Sequence, residues 1–233
     1  MALGLAAYSI FAVHDALVKG VIHDIPVVQI LFVRSVVVTL ICLAIGRMGV
    51  VRGLVKSPNK PMLLLRGMLT LAAWCMYYPA GKELQLAEMT TLYYVAPVIT
   101  VVLAVIFLKE RLTLARVGAS AIGFFGVVVA VNPTGITIGI PALMALGAAF
   151  LWSVAMIVMR TVSKSESSLV LVFSMNLFYV VVLAPFALPF WVPMDAREIA
   201  FVALTGLLGI AAQYSLIDAA RLVPASVLGT VEY

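Results

Sequence analysis

Long apolar stretches separated by short polar connections fill this chain from one end to the other. They lie near residues 1–18, 26–45, 61–80, 86–108, 112–131, 136–159, 169–190 and 199–217, and a further one starts near Leu222. Each complete run is close to the ~20 helical residues that cross ~30 Å of hydrocarbon at 1.5 Å per residue. The pattern predicts an all-α polytopic membrane protein with eight complete spans and the start of a ninth. Pro26, Pro61 and Pro141 stand where helices begin, a position that tolerates the missing N–H. Connections such as Asn132-Pro133-Thr134-Gly135 and 163–168 are too short to fold alone.

Composition removes the soluble alternatives. Of 233 residues, 64% are hydrophobic and only 11% charged, and the mean hydropathy is +1.19, far above a globular domain that is about half apolar. A net charge of +5 would suit nucleic acid if it formed a stripe, but the basic residues sit between the apolar runs, so no nucleic-acid partner is expected. Cys42 and Cys75 both lie inside apolar runs, without disulfide or metal spacing. The first run lacks a basic leader and carries His14, Asp15 and Lys19 where a cleavage site would fall, which marks a membrane span rather than a signal peptide.

Basic residues also set an orientation, because cytoplasmic connections retain Lys and Arg. With a cytoplasmic N-terminus, the inner connections hold Arg47, Arg52, Lys56, Lys60, Arg66, Lys109, Arg111, Arg116, Arg160, Lys164 and Arg221, and the outer ones only Lys19, Lys82 and Arg197. The expected location is therefore the inner (plasma) membrane, multi-pass, with the lipid bilayer as surroundings. Arg34 is the one basic residue not assigned to a connection, and it lies inside the second run.

An internal repeat emerges at an offset of 139 residues. Laying 66–94 on 205–233 pairs Gly67 with Gly206, Leu69 with Leu208, Ala72 and Ala73 with Ala211 and Ala212, Ala80 with Ala219, Thr91 with Thr230 and Tyr94 with Tyr233. Five spans precede the second copy, and an odd number per copy inverts one half relative to the other, as alternating-access transporters require. Residues 1–131 then form a first unit of five spans. Residues 136–233 form a second with three spans and the start of a fourth, and the same offset implies that the chain stops short of a tenth span.

The segment 86–97, LAEMTTLYYVAP, running into Leu108-Lys109-Glu110-Arg111-Leu112-Thr113 and then glycines 118, 123 and 126, resembles the fourth and fifth spans of the EamA-type drug/metabolite transporter superfamily. Supporting pieces are 14–19 (HDALVK), 32–35 (FVRS), 65–67 (LRG) and 220–226 (ARLVPAS). One departure is Lys109, where that family frequently has glycine. The resemblance implies an inverted repeat of five-helix units and a carrier of small molecules.

Ionised groups inside hydrocarbon cost several kcal/mol and need a partner or a role. Arg34 lies eight residues past Pro26, ~12 Å deep, within reach of Asp15, and is a candidate for recognising a charged substrate group. His14 and Asp15 suit charge relay or ion coupling. Glu232 would sit ten residues into the ninth run, ~15 Å deep, where coupling sites gather. Trp74 and Tyr78 share a helix face and could stack on substrate; Gln213, the repeat partner of Trp74, and Tyr214 offer polar groups at the same depth. Pro97, inside the fourth run, is a candidate hinge. No hydrolase, zinc-protease or P-loop motif is present, so no catalytic residue, metal ligand or cofactor is expected, and the protein reads as a non-enzyme. The expected function is secondary transport of a small polar metabolite by alternating access. The alternative is a non-transporting membrane subunit whose buried charges lock helices together. The sequence leaves room for a homodimer.

Overall fold

The computed structural model describes residues 2–110, 113–131 and 139–232. The described residues form ten helices: α1 (Ala2–Lys19), α2 (Val27–Lys56), α3 (Lys60–Glu83), α4 (Leu86–Tyr93), α5 (Ala96–Leu108), α6 (Leu114–Val131), α7 (Ile140–Val162), α8 (Ser168–Ala187), α9 (Ala196–Leu222) and α10 (Ala225–Val231). Six stretches are long and apolar enough to cross a membrane: α1, α2, 87–108 across α4 and α5, α7, α8 and α9. The third run is long enough but carries Lys60, Arg66, Lys82 and Glu83, and the fifth is a shorter apolar helix. The chain is an all-α polytopic membrane protein. The connection 132–135 and Arg111 and Leu112 fall outside the described residues, as does Tyr233.

Local chemistry sets the helix ends. Asp195 and Glu198 form a reciprocal capping box at the start of α9, each carboxylate accepting the other's backbone N–H at 2.7 Å, which satisfies two donors that a helix start leaves orphaned. Ser167 accepts from the Val170 N–H to open α8. The second run continues past its expected end at 45, because the chain turns at Arg47 (φ 46°, ψ −143°) and resumes as helix to Lys56. The fourth run is not one kinked helix. It breaks at Tyr94–Val95, and Pro97 sits in the first turn of α5, where its fixed φ suits a helix start.

Side-chain bonds at the helix termini give the direction of each helix. Lys19 at the end of α1 donates to the carbonyls of Gly81 and Leu84 at the end of α3, and Gln29 at the start of α2 bonds Val192 just before α9; these mark one end of the bundle, the Lys19 end. At the other end, Arg160 at the end of α7 donates to Ala220 near the end of α9, and Asn59 before α3 donates to Ser165 and Glu166 before α8. So α3 runs toward the Lys19 end and α9 away from it, and α2 and α8 are likewise opposed.

The helix boundaries follow the 139-residue offset closely. The break at Leu84–Gln85 between α3 and α4 falls on Val223–Pro224 between α9 and α10. Lys19 caps the carbonyl of Gly81, and Arg160 caps that of Ala220, the same position one offset later; a cation on the last carbonyls of a helix is favoured by their partial negative charge. The main packing pairs cross between the halves: α3 on α7, α2 on α8 and α1 on α9. Small residues allow the close approach, with Ala142, Ala145, Ala148 and Ala149 of α7 fully buried. At Gly229 of α10 an added Cβ would lie 3.2 Å from the Pro97 carbonyl oxygen, so α10 crosses α5 backbone to backbone at the break in the fourth run.

Candidate functional site

A chamber of about 180 Å³ lies where α1, α3, α4, α7 and α10 meet. Its wall is aromatic and acidic: Tyr8, Phe11 and Asp15 from α1, Trp74 and Tyr77 from α3, Tyr93 and Tyr94 at the break after α4, Trp152 from α7, and Glu232 at the end of α10. The break places Tyr93 edge-on to Tyr77, with ring centroids 4.9 Å apart. Trp74 and Trp152 pack edge to face at 6.0 Å and also line a narrow second cleft with Arg66, Thr70, Met156, Met159, Met175 and Gln213. The two indoles thus form the partition between the chamber and the cleft.

Behind this wall runs a buried chain of polar bonds. Arg34, only 2% exposed, bonds His14 Nε2 and donates to the Tyr78 hydroxyl, both at 3.0 Å. A guanidinium has donors only, so His14 Nε2 accepts and the ring proton lies on Nδ1, which donates to Asp15 Oδ1 at 3.0 Å. Tyr77 donates to the other Asp15 oxygen at 3.3 Å. Arg34 and Asp15 balance each other through a neutral imidazole rather than in direct contact. The guanidinium also lies 5.2 Å from the Trp74 ring centroid, a cation–π arrangement, and Tyr78 stacks on the same indole at 5.0 Å.

Glu232 is 7% exposed, and its Oε2 has no hydrogen-bond partner among the described residues; the same holds for the Tyr8 hydroxyl and for Nε1 of Trp74 and Trp152. Buried polar atoms are nearly always paired. These four atoms belong to side chains that line the chamber.

Of the sequence-predicted residues, Asp15, Trp74 and Glu232 line the chamber. Arg34, His14 and Tyr78 stand behind it: one terminal nitrogen of Arg34 bonds both His14 and Tyr78, and the other, Nη2, has no partner among the described residues. Gln213 belongs to the second cleft. Tyr214 is 44% exposed and faces out of the bundle, because adjacent helical residues point ~100° apart and Gln213 takes the inward position. Pro97 lies at the helix break, touching α10. Among the described residues no group of His, Cys, Asp and Glu is arranged to hold a metal ion.

Three residues escaped sequence reading. Trp152 sits in a run that is apolar all round, so no periodicity singles it out. Tyr8 likewise lacked a pattern. Glu110 was legible only as part of a motif; its carboxylate accepts from the backbone N–H groups of Ala225 and Ser226 at 2.9 and 3.1 Å and from the Ser226 hydroxyl at 2.7 Å, capping α10, whose own N-cap is Pro224.

The profile of the EamA-like transporter family matches residues 1–132 and again 139–233. The chain belongs to the EamA-like transporter family. Among similar proteins, the pseudopaline exporter CntI of Pseudomonas aeruginosa is 25% identical over 99% of this chain and 81% of its own length. An uncharacterized transporter of Helicobacter pylori is 26% identical over 98% and 80%. Mouse solute carrier family 35 member G1 is 24% identical over 96% of this chain and 65% of its own. A solved crystal structure superposes with a TM-score of 0.78 at 22% identity, covering 99% of this chain and 82% of the other, a likeness in fold. This EamA-like protein is a membrane transporter.

Proposed function

We propose that the protein is a secondary carrier that moves a small polar metabolite by alternating access, with residues 1–131 and 136–233 as inverted units. The observation that carries this reading is the chamber between the halves, lined by unpaired polar atoms of Tyr8, Trp74, Trp152 and Glu232. A site flanked by opposed helices from both units can face either side as one unit rocks against the other. In this reading Trp74 contacts the substrate, and Arg34 acts through His14 to hold Asp15 in place. Glu232 and Asp15 are the coupling groups, and the break at Pro97 is the hinge. Gln213 serves the second cleft as a further polar contact on the path. The concentration of Lys and Arg in connections at the end opposite Lys19 supports a cytoplasmic N-terminus in an inner or plasma membrane. No catalytic step enters the reading.

The test is a mass-spectrometric comparison of metabolites inside and outside cells that express the protein or its Glu232→Gln variant in equal membrane amounts. A compound whose distribution shifts only with intact Glu232 supports the carrier and gives its direction. No shift across a broad panel of polar metabolites overturns it.

A further inference from the structure

Resting on the carrier reading, the geometry points to a narrower substrate class: we propose that the chamber takes a small organic monocation, with Glu232 as its counter-charge. Two carboxylates, Asp15 and Glu232, reach the chamber, and among the described residues no Lys or Arg lines it. They are not equivalent. Both oxygens of Asp15 are engaged, by His14 and Tyr77, and its charge is balanced through His14 by Arg34. Arg34 itself is walled off behind the Trp74 ring. Glu232 has no such cation among the described residues. It is more than nine-tenths buried with Oε2 unpartnered, and Tyr8 beside it brings a neutral hydroxyl rather than a cation.

A carboxylate held in that state is completed by a positive partner, a proton when the chamber is empty and a guest cation when one is present, because no Lys or Arg among the described residues lines the chamber to compensate it. The remaining wall favours the same class. Faces and edges of Tyr77, Tyr93 and Trp152 surround the space, and aromatic faces attract ammonium-type groups while covering an apolar body. Among the described residues of the wall an anion would meet two acids and no Lys or Arg. The volume, about 180 Å³, is below the ~300–1,000 Å³ of typical drug pockets, so the guest is small.

The experiment uses the full chain, purified into lipid nanodiscs, with phenyltrimethylammonium as a permanently charged probe and benzenesulfonate as the anion built on the same ring. Binding is read by equilibrium dialysis and by quenching of tryptophan fluorescence. The proposal expects saturable binding of the cation and no competition by benzenesulfonate. Glu232→Gln should weaken binding by about tenfold or more, and Asp15→Asn by less, since the Asp15 charge is already paired. Glu232→Asp keeps the charge and should retain binding within about threefold, which separates loss of charge from loss of fold. Absence of saturable binding, equal competition by benzenesulfonate, or a Glu232→Gln protein that binds as well as the parent would overturn the inference.

A vesicle arm separates this from the carrier reading. Labelled probe that enters proteoliposomes in a Glu232-dependent way supports both. Binding without movement of the probe or of any polar metabolite keeps the chamber chemistry and overturns the carrier. Movement of anionic or neutral metabolites with no cation binding keeps the carrier and overturns the monocation.

Discussion

The two ends of the bundle are closed by different chemistry, although both join one half of the protein to the other. At the Lys19 end the join is neutral: Gln29, 1% exposed, meets the surface residue Val192, donating to its carbonyl at 2.7 Å and accepting from its N–H at 2.9 Å, so one side-chain amide pairs with one peptide. At the opposite end the joins are acidic. Glu166 accepts from Ser57 and from Asn59 at 2.9 Å, and Glu110 caps α10. Nearby, Arg221 donates to the Glu166 and Ser163 carbonyls and to Asp218. A neutral pair is insensitive to ionic strength, whereas half-exposed charged groups are screened by it. A carrier built this way has one end whose closure follows the medium and one whose closure does not.

The largest effect is expected from removing the neutral join. Gln29→Ala removes two hydrogen bonds between the halves, at about 1 kcal/mol each, and so costs about 2 kcal/mol of closure. With Cys42 and Cys75 replaced by serine and a cysteine placed at the fully buried Ile30, maleimide labelling should accelerate about 30-fold, since each 1.36 kcal/mol is tenfold. A change below about threefold would mean that the Gln29 pair does not hold this end shut.

Next comes Glu110→Gln. The amide keeps the shape but loses the charge that faces the N–H groups opening α10, a loss of about 1 to 1.5 kcal/mol. A cysteine at the buried Leu228 should label roughly tenfold faster. Unchanged labelling there, with a lowered melting midpoint, would show that Glu110 stabilises α5 rather than seating α10.

How much of this was legible beforehand depends on which physical signal each feature leaves in a sequence. The eight apolar runs needed only length and hydropathy, and the 139-residue offset paired 66–94 with 205–233, the stretches in which the structure places the corresponding breaks at 84–85 and 223–224. Burial of Arg34 and Glu232 was legible because a charge among apolar residues stands out. Their partners were not: Asp15 was expected to meet Arg34 directly, yet His14 stands between them, a matter of side-chain reach that spacing cannot resolve. Tyr214 was misplaced because a membrane helix apolar on all faces gives no phase by which to orient its polar residues. For the same reason Trp152, half of the partition, gave no signal. Gln29, alone among the groups joining the Lys19 end, is a polar residue in an apolar run, but its partner is a backbone peptide 163 positions away, which no side-chain pattern encodes.

The contrast between ends sharpens with Glu166→Gln. The neutral side chain still accepts from Asn59, so the loss is about 0.5–1 kcal/mol at low ionic strength. A cysteine at the buried Val162 should label about threefold faster, and the difference should fade in ~0.5 M salt, where the screening length is only a few ångströms. The Gln29→Ala effect should persist at that salt. If both effects fade, or neither does, the two ends are closed by the same kind of interaction and the distinction falls.

The smallest expected effect runs in the stabilising direction. Lys109 ends α5 in the left-handed region at φ 53°, ψ 34°, where a side chain crowds the following carbonyl and glycine does not. That turn redirects the chain so that the next residue, Glu110, reaches the start of α10. Glycine is frequent at this position in the family that 86–113 resembles, and the backbone conformation gives the reason. Lys109→Gly should therefore raise the melting midpoint by an amount equivalent to about 0.5 kcal/mol and slow labelling of the Leu228 cysteine, by relieving the turn that aims the cap. Lys109→Ala, which keeps the Cβ, should give no such gain. A glycine variant that melts lower than the parent would mean that the lysine side chain contributes more through its charge or its stem than the turn costs, and the acidic cap would then owe its position to something other than the shape of this turn.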